Sequence, residues 1–325
     1  MLLAGDNGAT KTQLALFASP NDLRAPLATA KLPSAGYESF TALVRAFLTD
    51  ISYPITRAVF GIAGPVLNGR VKVTSLPWIV DARQLQEDLA IPEVHLLNDL
   101  EVIAHAVPVL TPCELFTLNA GTPVPRAPIA VAAVGTGLGE AFLLWNGARY
   151  QVYPSEGGLA NVAPINAHEA GLLTALFHTH SHVSYDFLCG GVGLPHIYAF
   201  LKETSGLGEP QWLATRLNNA HDPTPVIVKA ALDDVEPLCV ETLKLFASLL
   251  GAETGNMALR MLATGGVYIG GGIPPYILPF LQSDAFMQAF TNKGQLSTLL
   301  ASIPVHVILN EMAGVIGAAT YGFTL

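Results

Sequence analysis

The sequence predicts an α/β protein built from two related domains. Three observations favour this fold class: the chain has 325 residues, short apolar strands alternate with helical segments, and one strand–turn–strand pattern occurs twice. A single hydrophobic core rarely grows beyond about 250–300 residues, so a chain of this length tends to divide into domains. We expect a smaller domain at residues 1–110, completed by the segment 303–325, and a larger domain at residues 111–302.

The first strand–turn–strand pattern lies at the start of the sequence. Met1–Leu3 and Thr12–Phe17 are apolar strand candidates, and the glycine-containing turn Ala4–Thr10 would join them as a hairpin. A third strand is expected near Ala28–Leu32. The apolar residues of Tyr37–Asp50 recur at helical spacing, which predicts a helix.

Strands and helices alternate through the rest of the first domain. The pattern predicts a strand at Arg57–Ile62, a helix at Asp81–Ala90, a strand at Val94–Leu97 and a helix at Leu100–Val107. The strand at Val94–Leu97 runs into Asn98 and Asp99. Polar residues that follow a strand in this way are candidates for a site, because α/β proteins bind ligands at the carboxyl ends of their strands.

The second strand–turn–strand pattern begins at Pro128–Val134. A turn at Gly135–Gly139 and strands at Glu140–Trp145 and Arg149–Tyr153 follow it. The recurrence is a weak internal repeat, which indicates two related α/β domains that each present one turn able to bind phosphate. The remaining predicted elements are helices at Val240–Met257, Leu259–Leu262 and Ala313–Thr320, and strands at Gly265–Ile269 and Val305–Leu309.

Composition excludes several classes of function. The net charge is −9 and the sequence has no basic run, so nucleic acid and anionic membranes are poor partner candidates. Three widely spaced cysteines, Cys113, Cys189 and Cys239, form no CxxC motif, which argues against a disulfide framework and suits a reducing cytosol. No apolar stretch approaches the ~20 residues of a spanning helix, and no secretory leader pattern is present. We therefore expect a cytoplasmic protein.

The turn around Gly8 is the first candidate phosphate site. Gly8 permits close approach to the backbone, Thr10 and Thr12 offer hydroxyls, and consecutive N–H groups in such a turn attract anions. Asp6 is a candidate Mg²⁺ residue, acting through water because Mg²⁺ keeps much of its hydration. An ordinary hairpin turn explains the same residues equally well.

The turn Gly135-Thr136-Gly137-Leu138-Gly139 is the second candidate. It differs from the dinucleotide-binding fingerprint, because its third glycine comes one residue early and a strand follows it, and it lacks the Gly-Lys-Ser/Thr of a Walker A loop. Paired with the first turn, it indicates a nucleotide held between two domains.

Glycines also flank the predicted strand Val267–Ile269. Gly265-Gly266 precede it and Gly270-Gly271-Gly272 follow it. Backbone without side chains can admit a flat adenine ring, although close packing of neighbouring elements requires the same residues.

Three acidic residues are candidates for binding or deprotonating sugar hydroxyls. Asp99 could take the proton of an alcohol, with Asn98 holding a neighbouring hydroxyl, but the same two residues could simply cap the following helix. Glu156, in Ser155-Glu156-Gly157-Gly158, and Asp186 could bind further hydroxyls or be surface residues.

The histidines of HTHSH, His178, His180 and His182, would share one face if they lay on a strand. A metal site there is not favoured, because no further ligand is evident.

Taken together and in this order, these segments closely resemble the bacterial glucokinase family, within the hexokinase–actin–Hsp70 group of folds. The resemblance covers nearly the whole chain. It implies two RNase H-like, actin-like ATPase domains with an interdomain cleft. Its motifs are DNGATKT, Ala63-Gly64-Pro65, Thr74-Ser75-Leu76-Pro77-Trp78, Leu97-Asn98-Asp99, GTGLGEA, SEGG and GGVYIGGGIPP.

The resemblance implies a role for each matched residue. Asp99 would be the general base towards the sugar 6-hydroxyl, Asn98 and Asp99 would hold the 3- and 4-hydroxyls, and Glu156 and Asp186 would lie near O2 and O1. Gly64 and Pro65 would line the sugar side. The residues implied for ATP are Asp6, Gly8, Thr10, Lys11, Thr12, Gly135, Thr136, Gly137, Gly265, Gly266 and Gly271, with Mg²⁺ held by Asp6 through water. A homodimer is implied by the resemblance alone.

The sequence departs from the family pattern at three positions. Leu159 stands where the family has histidine, Asp186 is shorter than the usual glutamate, and Ala9 replaces a glycine. The first two changes fall on groups that contact the C1–C2 end of glucose, where one lost hydrogen bond costs about 0.5–1.5 kcal/mol. Three hypotheses follow: a glucokinase feeding glycolysis, a kinase for another hexose, and a sugar or nucleotide sensor without catalytic activity.

Overall fold

The computed structural model describes residues 1–8, 10–74, 76–233 and 235–325. They divide into two units. The first unit comprises Met1–Glu114, Val152–Pro154 and Asn310–Leu325, and the second comprises Leu115–Gln151 and Ser155–Leu309.

Short strands and helices alternate through the first unit, as the sequence predicts. The elements are β1 (Leu2–Asn7), β2 (Lys11–Phe17), β3 (Ala28–Pro33), α1 (Phe40–Leu48), β4 (Arg57–Ile62), β5 (Arg70–Lys72), β6 (Ile79–Asp81), α2 (Ala82–Leu89), β7 (Glu93–Asn98) and α3 (Asp99–Ala106). The first turn is shorter than expected because β1 continues through Asp6 and Asn7, whose backbones pair with neighbouring strands.

The second unit holds most of the helices. Its elements are β8 (Leu115–Asn119), β9 (Ile129–Val134), β10 (Leu138–Trp145), β11 (Tyr150–Ser155), α4 (Ala167–Leu176), α5 (Tyr185–Leu188), α6 (Gly193–Thr204), α7 (Gln211–Asn219), α8 (Thr224–Leu232), α9 (Pro237–Met261), β12 (Gly266–Gly270), α10 (Leu278–Leu281), α11 (Asp284–Thr291), α12 (Ser297–Ala301) and β13 (Val305–Ile308). Three residues of β11, Val152–Pro154, are grouped with the first unit. The two helical segments expected around residue 258 form the single helix α9. The final helix, α13 (Ala313–Thr324), belongs to the first unit.

The first unit contains a five-stranded sheet in the order β3-β2-β1-β4-β7. β1 and β2 form an antiparallel hairpin, whereas β1, β4 and β7 are parallel. The register places Asn7 beside Ile62 and Ile62 beside Asn98. The carboxyl ends of the three parallel strands therefore lie at one edge of the sheet.

The second unit contains a six-stranded sheet in the order β11-β10-β9-β12-β13-β8. β9 pairs antiparallel with β10 and parallel with β12, and β12 pairs parallel with β13. The expectation that residues 303–325 complete the smaller domain is wrong for β13. Its backbone pairs with β12 and β8, so it is part of the larger sheet.

Helix α13 packs against α3 at very short range. A Cβ atom on Gly317 would overlap the carbonyl oxygen of Val102, and one on Gly322 would lie 2.7 Å from Leu2 Cδ1. The apolar residues of β1 and β4 that α13 covers, including Leu2 and Val59, are buried. Small residues in α13 therefore let two helices and the sheet share one core.

Within the described ranges, no helix combines the length and apolar character needed to cross a membrane.

We expect Gly317→Ala to destabilise the protein by about 1–3 kcal/mol, because the added methyl group has no space beside Val102. This loss should exceed the ~1 kcal/mol that alanine otherwise gains over glycine inside a helix. A urea titration followed by circular dichroism would show a lower midpoint. Gly208→Ala, which places a Cβ in open space, is the matched control. A Gly317→Ala midpoint equal to that of the parent chain would contradict the packing argument.

Candidate functional site

The edge formed by β1, β4 and β7 brings Asp6 and Asp99 into electrostatic contact. Asp6 is the next-to-last residue of β1, and Asp99 is the first residue of α3, directly after β7. A Cβ on Gly314, in the first turn of α13, would overlap Asp6 Oδ2, so this carboxylate lies against the helix N-terminus. Helix N-termini favour negative charge.

The Asp6 carboxyl group carries negative charge that the protein does not fully offset. Burial, followed by the charge of Asp99, raises the pKa of Asp6 to about 7, and Lys11 opposes both effects. A divalent cation would supply the missing counter-charge, and carboxylate oxygens are the ligands Mg²⁺ prefers. No cluster of three metal-binding side chains exists among the residues that the structure describes. Asp6 therefore suits a Mg²⁺ ion whose other ligands are water and phosphate.

Asn98 caps helix α3 and anchors a loop. Its Oδ1 accepts from the Leu100 N–H at 2.9 Å, and its Nδ2 donates to the Gly64 carbonyl at 3.0 Å. Asp99 Oδ1 also accepts from the Leu100 N–H, at 3.0 Å. The capping interpretation is thus confirmed for Asn98. It does not exclude a sugar contact, because the amide group keeps a second N–H.

The loop Ala63-Gly64-Pro65 is held in one shape. Gly64 has a φ of 138°, and a Cβ there would lie 2.8 Å from the Lys72 carbonyl oxygen. Thr74 donates to the Ala63 carbonyl through its N–H at 3.0 Å and its hydroxyl at 3.1 Å. Pro65 is exposed. The loop therefore presents Pro65 on a rigid backbone.

Trp78, the last residue of the neighbouring segment Thr74–Trp78, lies in the core of the first unit. Its side chain is buried and packs against Phe40 with ring centroids 6.3 Å apart. Ser75 of this segment lies outside the described residues, as does Ala9 of the first turn.

Thr12 supports the first turn from inside the protein. It is fully buried, and its hydroxyl accepts from Asn7 Nδ2 at 2.7 Å and pairs with Ser34 Oγ at 3.0 Å. Ser34 Oγ in turn donates to the Gly8 carbonyl. The expectation that the Thr12 hydroxyl meets phosphate directly is therefore corrected: it fixes the shape of the turn, while Thr10 is exposed.

Lys11 projects from the first turn and is paired with Glu311. Lys11 Nζ lies 3.3 Å from Glu311 Oε2, and Lys31 Nζ lies 2.8 Å from the same oxygen. All three side chains are about half exposed. Sequence inspection missed Ser34, Lys31 and Glu311, because they reach this turn from distant parts of the sequence.

The second turn is held through its carbonyl groups by the segment that follows α5. The carbonyls of Gly135 and Thr136 accept from the Gly191 and Val192 N–H groups at 2.9 and 3.2 Å. Gly135 and Thr136 are exposed. Across the described part of the chain, nothing accepts from the N–H groups of Thr136 and Gly137. Two free N–H groups in an exposed turn form a concave site for an anion.

The adenosine motif is split between the two ends of β12. β9 and β12 are parallel, so Gly271 lies at the same edge as the turn that follows β9, and a Cβ on it would lie 2.6 Å from the Val134 nitrogen. Gly265 and Gly266 lie at the other end of the strand, roughly 17–20 Å from Gly271 at ~3.3 Å per residue. A Cβ on Gly265 would lie 2.7 Å from the Ala127 carbonyl. Close packing explains these two glycines, and their assignment to nucleotide binding is corrected.

The SEGG loop exposes Glu156 and Leu159. Glu156 precedes a short 3₁₀ turn, Gly157–Leu159, and its side chain is exposed, while Leu159 is 52% exposed. Ser155 Oγ accepts from the Gly157 N–H at 3.0 Å and fixes the start of the turn. Asp186, in α5, is partly buried, and its Oδ1 accepts from the Leu138 N–H at 2.9 Å.

A buried carboxyl pair lies beneath this loop and was not foreseen from the sequence. Glu140 is 1% exposed, and neither of its carboxyl oxygens has a hydrogen-bond partner in the described structure. Neighbouring Glu253 is fully buried and accepts from Arg260 Nη1 at 2.5 Å. A Cβ on Gly157 would overlap Glu140 Oε2. Burial and the Glu253 carboxylate raise the pKa of Glu140 to about 8.

The three histidines of HTHSH do not share the face of a strand. They lie in the turn that follows α4, and the His180 ring packs on Phe187 and His196 at centroid distances of 4.8 and 5.3 Å.

We expect Glu140→Gln to stabilise the protein increasingly as the pH rises. The pKa of Glu140 is about 8 when folded against 4.5 for the free side chain, so the folded state binds the proton more tightly. Parent stability should therefore be lost between those pH values, by at most about 1.4 kcal/mol per pH unit. The glutamine side chain of the variant cannot titrate, so the variant's free energy of unfolding lacks this fall with rising pH. Urea midpoints at pH 5–9 test it, with exposed Glu203→Gln as control. Parallel pH profiles for parent and Glu140→Gln would contradict the assignment.

Comparison with known proteins identifies the family. The glucokinase family profile matches residues 3–324. The glucokinase of Nostoc punctiforme is 39% identical over 98% of both chains. A glucokinase crystal structure from an Antarctic psychrotroph has a TM-score of 0.84 at 28% identity, covering 100% of this chain and 99% of that one. The Streptomyces griseus ROK family glucokinase, solved with glucose and AMPPNP, shares the fold with a TM-score of 0.68 at 18% identity, covering 100% and 99%. This chain therefore belongs to the glucokinase family.

Proposed function

We propose that this protein transfers the γ-phosphoryl group of ATP to the 6-hydroxyl of D-glucose, which yields glucose 6-phosphate and ADP for glycolysis. As a member of the glucokinase family it is a phosphotransferase with an alcohol acceptor. The observation that carries the proposal is the placement of Asp99 at the carboxyl edge of the first sheet, within electrostatic range of Asp6 and beside a phosphate-type turn.

Asp99 acts as the general base. Its carboxylate takes the proton of the 6-hydroxyl as the sugar oxygen forms a bond to the γ-phosphorus and the bond to the β-phosphate oxygen breaks. Its place in the first turn of α3 stabilises the ionised form that accepts the proton. Asn98, held by Leu100 and Gly64, orients the neighbouring hydroxyls together with Asp99.

Each unit offers one turn to phosphate. In the first unit, exposed Thr10 and the Gly8 backbone face the phosphates, and Lys11 adds a positive charge. In the second unit, phosphate is bound by the free N–H groups of Thr136 and Gly137 and by the Thr136 hydroxyl. Gly271 lies at the same edge of the sheet. Mg²⁺, when bound through water to Asp6, offsets the charge of the transferred phosphoryl group.

The residues assigned to sugar specificity depart from the family pattern more than the residues assigned to phosphoryl transfer. We assign Glu156 to O2, Asp186 to O1, and Pro65 with Gly64 to the wall of the sugar pocket. Leu159 offers an exposed apolar surface where a histidine would offer a hydrogen bond, which favours a weakened or altered preference at C2. A kinase for another hexose is the second candidate. The sensor hypothesis is not favoured, because the matched relative is named as an enzyme and Asp99 is present.

We also propose a cytoplasmic homodimer. The net charge of −9 and the cysteine pattern support the location, and the resemblance to the bacterial family supports the dimer. Size-exclusion chromatography with light scattering would measure the oligomeric state directly.

We expect Asp99→Ala to lower kcat by at least about 100-fold, because a general base contributes about 10²–10⁴ to the rate. A coupled ADP-release assay with glucose and ATP measures this. Asp50→Ala, which removes an exposed carboxylate of the same unit, should keep the parent kcat. Near-normal turnover of Asp99→Ala would overturn the assignment of the base.

We expect Leu159→His to lower KM for glucose by about two- to tenfold with little change in kcat, because one regained hydrogen bond is worth about 0.5–1.5 kcal/mol. The ADP-release assay, run over glucose, mannose and glucosamine, gives the preference of parent and variant. Leu296→His, at another exposed leucine, is the matched control. A parent chain that turns over mannose or glucosamine far better than glucose would instead support the second candidate.

A further inference from the structure

We propose that Asp186 is a positioning residue for ATP: it fixes the second phosphate turn, Gly135–Gly139, against the SEGG loop. This inference rests on the proposed function, which assigns ATP phosphate to that turn. It adds a second role to a residue assigned above to the sugar, and it explains why a short acidic side chain stands at this position.

The Asp186 carboxylate lies flat against the backbone of the turn. Its Oδ1 accepts from the Leu138 N–H at 2.9 Å. A Cβ on Gly137 would overlap Oδ1 and lie 2.7 Å from Cγ and 2.9 Å from Oδ2. The carboxylate therefore covers the Gly137–Leu138 peptide, and only glycine at position 137 permits this approach.

The same group meets the SEGG loop on its other side. A Cβ on Gly158 would overlap the Leu138 carbonyl and lie 3.6 Å from Asp186 Cβ. Gly158 is buried. Leu138, Gly158 and Asp186 thus pack directly on one another, although they belong to three separate segments. A shift of the turn must be transmitted to the loop that carries Glu156.

Asp186 is itself rigidly held. It lies in α5, where Ser184 Oγ accepts from the Phe187 N–H at 3.2 Å, and adjacent Tyr185 is 1% exposed. The Tyr185 hydroxyl accepts from the Ala163 N–H at 3.1 Å. A carboxylate on such a support can set the position of a flexible glycine turn.

The segment after α5 also holds the second turn in place. The Gly191 and Val192 N–H groups bind the carbonyls of Gly135 and Thr136, and a Cβ on Gly190 would lie 2.7 Å from the Thr136 carbonyl carbon. These bonds turn the carbonyls inward, and the Asp186 bond holds the next N–H, that of Leu138. The Thr136 and Gly137 N–H groups have no acceptor among the described residues, so they are available to an anion.

Side-chain length explains the preference for aspartate at this position. A glutamate on the same backbone would place its carboxylate one methylene further from the backbone. The carboxylate would then extend past the position from which Asp186 accepts the Leu138 N–H. The shorter side chain therefore favours the bond to the turn.

The test compares Asp186→Ala with Asp186→Asn. Alanine removes the acceptor and leaves the Leu138 N–H without a partner, so we expect KM for ATP to rise roughly tenfold. Asparagine keeps an Oδ1 acceptor, so KM for ATP should stay within about twofold of the parent. Asn146→Ala is the matched control, because it removes side-chain bonds to the Ala148 and Arg149 N–H groups at the opposite end of β10. It should leave KM for ATP unchanged.

Three results would overturn the inference. One is a rise in KM for glucose alone in Asp186→Ala, since a purely sugar-binding carboxylate predicts it. Another is an equal rise in KM for ATP in Asp186→Asn. The last is an equal rise in KM for ATP in Asn146→Ala, which would indicate general disruption of the sheet. Urea midpoints of all variants establish that each is folded.

Calorimetric titration of Mg·ATP without sugar separates this inference from the proposed function. If the parent chain binds Mg·ATP but turns over no hexose, the kinase proposal fails. In that case the Mg·ATP affinities of the two variants still test whether Asp186 positions the turn. A weaker affinity in Asp186→Ala alone supports this role, and equal affinities in the two variants overturn it.

Discussion

The parallel pairing of β1, β4 and β7 is the constraint on which the first unit depends. The register aligns Asn7, Ile62 and Asn98, so Asp6 near the end of β1 and Asp99 directly after β7 lie at the same edge of the sheet. A register shift of one residue would turn Asp6 towards the opposite face of the sheet. The buried apolar residues of these strands, which resist such a shift, therefore also position the acidic pair.

The second unit fixes its site by a different means. Its turn is shaped by backbone carbonyls and one carboxylate, and its SEGG loop rests on a buried pair of glutamates beside one arginine. Buried charges of this kind cost more free energy than they return unless they are paired. Glu140 avoids that cost by remaining protonated near neutral pH, as its raised pKa indicates. The stability of the loop support is therefore coupled to pH, and the raised pKa of Asp6 couples the first sheet to pH as well.

Much of the fold could be predicted from the sequence, because it follows from local patterns. The apolar runs of β4 and β9 and the helical spacing of α1 each indicate their element without knowledge of distant residues. The errors arose where the decisive partner is remote. The Thr12 hydroxyl was assigned to phosphate because its partner Ser34 lies 22 residues away in the sequence. Gly265 and Gly271 were both assigned to the nucleotide because only the pairing of β12 with β9 shows which end of β12 lies beside the second turn.

The same argument applies to the carboxylates. Asp99 was identified by its position after a strand, whereas Glu140 sits within a strand and has no local sequence feature that marks it as buried beside Glu253.

The placement of α13 has a consequence for biosynthesis. Helix α13 completes the core of the first unit, yet the segment from Leu115 to Leu309 separates it from α3, against which it packs. A ribosome adding about 5–20 residues per second takes roughly 10–40 s to make that segment. During this interval the surfaces of β1, β4 and α3 that α13 will cover remain exposed. The second unit also waits for β13, which pairs with β8 at the start of that unit, but β13 is synthesised before α13. The part of the protein that is translated first is thus the last to finish folding, and a nascent chain must protect its apolar surface throughout the delay.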